Sequence, residues 1–112
     1  MAYDEVLADR IRELFLGDRD VTEQKMFGGL AFLIGGHMAV AASREGGLLL
    51  HVDPAIYDKL MDTTTARPMV MRGREMHGWL RVDADAVKTK RQLTKWIDLG
   101  ATYARSLPAK KR

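Results

Sequence analysis

Chemistry in a chain of this kind would rest first on its histidines, and there are three, His37, His51 and His77. No two lie at i,i+3 or i,i+4, and none falls in an H-E-x-x-H pattern, so they do not spell a zinc site. They read instead as surface or edge residues. Met69, Met71, Met76 and His77 could supply soft ligands to a cuprous ion, but thioethers more often fill irregular gaps in a core. The glycine pairs Gly28-Gly29 and Gly35-Gly36 are no phosphate cradle, because neither is followed by Gly-Lys-Ser/Thr or set in G-x-G-x-x-G. Turn geometry explains them. Ser43 and Ser106 are the only serines, and neither lies in a nucleophile elbow. Asp83 and Asp85 look like helix caps rather than a catalytic pair. The expectation is therefore no catalytic residue, no metal site and no cofactor, and hence no enzyme.

The basic residues are the better candidates. Lys88, Arg91 and Lys95 fall within one narrow arc of a C-terminal helix, opposite its apolar stripe, and Arg72 and Arg74 sit on a preceding turn. A basic helix face of this kind serves as a nucleic-acid footprint or as plain solvated surface. No helix-turn-helix, zinc-finger or stacking-aromatic motif accompanies it, which favours solvated surface and leaves at most weak phosphate contact.

The elements that must position these groups follow from periodicity. Asp4 caps a helix over about 4–16 with Leu7, Ile11, Leu14 and Phe15 on one stripe. From Thr22 to Phe27, Leu30 to Ile34, His37 to Ala42 and Leu48 to Val52 the pattern is that of strands. Gly35-Gly36 between apolar runs signals a type I′ hairpin, pairing Ile34 with His37, Phe32 with Ala39 and Leu30 with Ala41. One face then holds Leu30, Phe32, Ile34, Ala39 and Ala41, and the other Ala31, Leu33, Met38 and Val40. Both faces are apolar, and the second needs a cover, for which a second copy of the chain is the simplest supply. Asp53-Pro54 starts a short helix over 54–61. Arg67 to Met71 is extended, Arg72 to Glu75 a turn, and Gly78 to Val82 the last strand. The final helix, 89–106, buries Trp96, Ile97, Gly100 and Tyr103, with Gly100 allowing close approach to the sheet.

Composition narrows the class further. The chain has 112 residues, 46% hydrophobic and 29% charged, which suits one globular domain and excludes disorder. There is no cysteine, hence no disulfide framework, and no apolar stretch long enough for a bilayer. The N-terminus lacks a secretory pattern, so a cytoplasmic location is expected. Residues 1–66 carry a net −5 and residues 67–95 a net +5, with +4 more in the tail from Arg105. Residues 109–112 read as a basic disordered tail on a domain spanning 1–108. The expected fold is α+β in two layers, with helices mainly on one face of an antiparallel sheet of about five strands.

Several separated stretches then agree in order with one family. Val21-Thr22-Glu23-Gln24-Lys25-Met26-Phe27-Gly28-Gly29-Leu30-Ala31-Phe32 resembles the opening signature of the TfoX/Sxy N-terminal domain. The likeness continues through Gly35-Gly36, Arg67-Pro68-Met69, Met76-His77-Gly78-Trp79, Val82-Asp83, Trp96 and Ala104-Arg105-Ser106-Leu107-Pro108. The resemblance implies a two-layer α+β domain and a link to transcriptional control. The best-known members act with the cyclic-AMP receptor protein at natural-competence promoters and carry a C-terminal helical domain not found in these 112 residues. A stand-alone N-terminal domain is thus expected, acting through an unidentified protein partner. Direct weak nucleic-acid binding is the alternative, and a small-molecule or metal-binding role ranks below both.

Overall fold

The structure is a computed structural model, and it describes residues 3–26 and 28–108. The element order is α1 (Glu5–Leu14), β1 (Val21–Met26), β2 (Gly29–Ile34), β3 (His37–Ala42), β4 (Leu48–His51), α2 (Pro54–Thr63), β5 (Arg67–Met71), β6 (Arg74–Val82) and α3 (Lys90–Ser106). A short 3₁₀ turn, Ala84–Val87, joins β6 to α3. The six strands form one antiparallel sheet in the order β1-β2-β3-β4-β6-β5. The expected α+β class holds, with one strand more than anticipated. The ends of α1 and α2 differ by two residues from the sequence reading. The basic tail, residues 109–112, and the strand end at Phe27 lie outside the described residues.

Local chemistry sets each helix start. The Asp4 carboxylate accepts from the Val6 and Leu7 N–H groups, and the Asp53 carboxylate from that of Ala55, with Pro54 at the first helical position. Thr89 and Gln92 form a reciprocal capping box at the head of α3. That helix lies on β2, β3 and β4 with Leu93, Trp96, Ile97, Gly100, Ala101 and Ala104 buried. A Cβ on Gly100 would stand 2.4 Å from the Ala39 carbonyl oxygen, so the glycine lets helix and sheet backbones meet. Tyr103, expected to be buried, is half-buried, because it leans over the sheet end against the His51 ring.

The β2–β3 hairpin corrects the expected register. Gly35 and Gly36 both have positive φ (59° and 85°), and Ile34 pairs with His37 as a type I′ turn requires. A bulge follows. Leu33 pairs with Met38, but Phe32 pairs with Val40, Ala31 with Ala41 and Leu30 with Ala42. Ala39 is the extra residue, and everything beyond it changes face. Val40 therefore joins the helix-covered core, and Ala41 moves to the other face.

The β5–β6 turn is also tighter than expected. Met71 pairs with Arg74, so only Arg72 and Gly73 form the turn, at φ 54° and 75°. A non-glycine residue in the left-handed region costs about 1–2 kcal/mol. Arg74 and Glu75 consequently belong to β6, which runs nine residues.

The sheet has two unlike faces. One packs against α1, α2 and α3 around Ile11, Phe32, Leu50, Leu80, Leu93 and Trp96. The other carries a separate cluster: Ala31, Leu33, Met38, Ala41, Leu49 and Met69, flanked by Met26, Met71 and Trp79. None of the helices among the described residues packs on this second cluster. Yet Leu33 is only 9% exposed and Met38 5%. The cover comes from the strands themselves, with Met26 of edge strand β1, Met71 of edge strand β5 and Trp79 of β6 packed on the cluster. Bulges in the β2–β3 and β5–β6 pairs supply extra twist. Leu33 and Met38, for which a second copy was expected as cover, leave water within one chain.

Candidate functional site

The five basic residues singled out by sequence do not form one patch. All are exposed. Arg72 and Arg74 stand at the β5–β6 turn, while Lys88 follows the opposite end of β6. Eight strand rises from Arg74 to Val82 separate these ends by about 26 Å. Lys88 also precedes the Thr89 cap rather than lying on the helix, and pairs with Asp85 at 3.5 Å. Arg91 and Lys95 do share the exposed side of α3, with the Lys95 Nζ 5.4 Å from the Trp96 ring centroid. The structure thus groups Arg91 and Lys95, sets Lys88 beside them, and puts Arg72 and Arg74 elsewhere.

The histidines are dispersed as well. His37 Nε2 lies 2.7 Å from the Pro108 carbonyl oxygen and ties the hairpin to the end of α3. His51 is on an inner strand, stacked on Trp79 at 4.1 Å, which corrects its expected place at the surface or an edge. Trp79 itself is half-buried on the helix-free face rather than in the main core. His77 faces Tyr57 and Asp58 of α2. Burial, with help from Glu75 and Asp58, raises the pKa of the Tyr57 hydroxyl. Met69 and Met71 pack on the second cluster beside Met26 and Met38, as gap-filling thioethers do. Among the described residues no group of three His, Cys, Asp or Glu side chains is arranged for a metal ion.

Sequence reasoning passed over a cavity built around Ser43 and Arg81. It opens at one end of the helix-free face and measures about 450 Å³. Met26, Ala41 and Leu49 supply apolar lining, and Ser43, Arg44, Glu45 and Arg81 polar lining. Ser43 is the only buried polar side chain among the described residues. Its Oγ accepts from Arg81 Nη1 at 3.1 Å and from the Glu45 N–H at 3.2 Å. Arg81 Nη2 also meets the Glu45 carboxylate at 2.7 Å. The Arg81 side chain is 23% exposed and the Glu45 side chain 70%. A second cavity of about 260 Å³ lies across Arg81, walled by Arg67, Pro68, Val70 and Asp83.

Register puts Arg81 there. It pairs with Leu49, and directly opposed residues share a face, so the guanidinium projects from the helix-free side. The visible signal was a charge at an inward position of the apolar run Trp79-Leu80-Arg81-Val82. The glycine pair shapes the opposite wall. A Cβ on Gly29 would stand 2.2 Å from the Ala42 carbonyl oxygen, and one on Gly28 2.8 Å from Arg44 Cδ. Turn geometry alone therefore does not account for both glycines.

The model of the TfoX N-terminal domain matches residues 13–104. The chain belongs to that family. Searches of curated proteins and of solved structures return no match. In this TfoX N-terminal domain, the stretches that carried the resemblance serve both faces: Leu30, Phe32, Val82, Trp96 and Ala104 lie in the helix-covered core, and others reach the helix-free face. Met26 and Gly29 line the larger cavity, Arg67-Pro68 and Val82-Asp83 the smaller one, and Met69 and Trp79 the cluster between. A third hollow, of about 280 Å³, lies between α2 and α3 over Ile56, Leu99 and Tyr103, with Asp53 and Asp98 at its mouth. No helix of the described residues is long and apolar enough to cross a membrane.

Proposed function

We propose that this TfoX N-terminal domain is a non-enzymatic regulatory module that acts by binding a protein partner, in transcriptional control. Family membership carries the reading. The methionines on the helix-free face, Met26, Met38, Met69 and Met71, support it, since methionine-rich surfaces adapt to partners. The partner in this proposal is a different protein rather than a second copy, because Leu33 and Met38 are already covered within one chain. A cytoplasmic location goes with this role.

Direct nucleic-acid binding ranks second. Arg91 and Lys95, with Lys88 nearby, favour it, but their distance from Arg72 and Arg74 leaves few phosphates within reach. Capture on the intact chain after nuclease treatment separates the two readings. A specific protein retained through nuclease and moderate salt is the expected result. Capture that disappears with nuclease, with log affinity falling at about −0.9 per phosphate against log salt, would replace this reading with the nucleic-acid one. Light scattering on the same preparation should give a single-chain mass, and a stable dimer would make the second copy the partner.

A further inference from the structure

We propose that the cavity beside Arg81 is a binding site for a small carboxylate with a short apolar body. The inference goes beyond partner binding and stands whatever protein the domain contacts. Three features of the cavity define the ligand.

The first is size. At about 450 Å³ the space falls in the range that takes metabolites rather than a lone ion or a helix.

The second is charge. Two arginines face one glutamate, which leaves the wall with one positive charge in excess. Arg44 has no hydrogen-bond or ion-pair partner among the described residues. Arg81 is held from two sides, by Ser43 Oγ and by Glu45, so its planar fork is oriented before any ligand arrives. A guanidinium has five N–H protons, and two contacts leave three. Ser43 Oγ accepts from both neighbours and still has its own proton to give. A planar fork with an adjacent hydroxyl donor matches the two oxygens of a carboxylate.

The third is the apolar lining. Met26, Ala41 and Leu49 make up the apolar part of the lining, and they belong to or pack on the cluster of the helix-free face. Glu45 cannot use this lining, because its side chain approaches Arg81 from solvent and remains 70% exposed. An incoming carboxylate takes the place of the Glu45 oxygen on Arg81 and adds burial of its hydrocarbon, which Glu45 does not provide. Glu45 then acts as a tethered occupant of the empty site.

Hexanoate is a suitable probe, with hexylammonium and inorganic phosphate as controls, each titrated into the intact ¹⁵N-labelled chain. Hexanoate is expected to shift the amide signals of Ser43, Glu45, Leu49 and Arg81 saturably, while hexylammonium does not. Arg81→Gln should weaken hexanoate binding about tenfold or more, as loss of a charge-assisted hydrogen bond does. Arg44→Gln is exposed, leaves the fold intact, and should weaken it severalfold. Glu45→Gln removes the competing carboxylate and should tighten binding. Arg74→Gln, seven strand rises or about 23 Å along β6 from Arg81, should change nothing. Equal responses to hexanoate and hexylammonium would overturn the proposal. So would shifts scattered away from the cavity, binding indifferent to Arg44→Gln, or phosphate binding at these residues while hexanoate does not.

Discussion

The two faces of the sheet reach the same burial by different means. On one face, three helices lay preformed apolar stripes across the strands, and Trp96 and Gly100 of α3 set the contact. On the other, strands alone do the work, and methionines from β1, β3 and β5 converge. The helical face is a conventional core, with a hollow between α2 and α3 over Ile56 and Leu99. The helix-free face closes in its middle over Leu33 and Met38 but opens at one end into the Arg81 cavity. At that open end the polar groups Ser43, Arg44, Glu45 and Arg81 gather.

Substitutions should separate these two kinds of burial. Trp96→Ala removes the largest ring of the helical interface and should lower unfolding free energy by about 3–5 kcal/mol in denaturant titration. An unchanged midpoint would mean that α3 does not hold the sheet. Met69→Ala tests the other face. Because Met69 is 4% exposed, the loss should be about 2–4 kcal/mol, against under about 1 kcal/mol for the half-buried Met71→Ala. Equal, small losses at both positions would mean an open face. Gly100→Ala should cost about 1–3 kcal/mol despite alanine's better helix propensity, since the added methyl meets the Ala39 carbonyl.

The smallest effect concerns the sheet edge. Arg12 donates to both Glu23 oxygens at 2.8 Å and so ties β1 to α1. The Arg12 hydrogen bonds hold the Glu23 carboxyl below its ordinary range despite partial burial. A depressed folded-state pKa means that the pair stabilises above the unfolded value and that this contribution is lost as pH falls through the folded one. Both partners are more than a third exposed, so Glu23→Gln should cost at most about 1 kcal/mol at neutral pH. Wild type and variant should converge in acid. A gap that widens in acid would contradict the assignment.

Much of the helical face was legible in the sequence. Asp4, Asp53 and Pro54 announce their helices through local hydrogen bonding, and the stripe through Trp96 and Gly100 follows from a 3.6-residue period. The type I′ turn was legible for the same local reason. The helix-free face was not, because its geometry depends on pairing between strands. One bulged residue, Ala39, exchanges the faces of Val40 and Ala41, and no local signal marks it. Arg72 occupies a left-handed position usually given to asparagine or glycine, which hid the start of β6. The cavity depends on the Leu49–Arg81 pairing and on Gly28-Gly29, which read as a simple turn until Arg44 is seen against Gly28 and the Ala42 carbonyl against Gly29.

Closure of the helix-free face within a single chain is tested most directly by methionine oxidation, because the face presents its own probes. Dilute native protein would be treated with hydrogen peroxide and the oxidation rate of each methionine followed by mass spectrometry. Met38 and Met69, at 5% and 4% exposure, should oxidise far more slowly than in the unfolded chain, and more slowly than half-buried Met26 and Met71, at every protein concentration. Met38 and Met69 reacting as fast as in unfolded chain when dilute, and becoming protected only as concentration rises, would contradict the account. That result would mean that the face is open and that a second copy covers it.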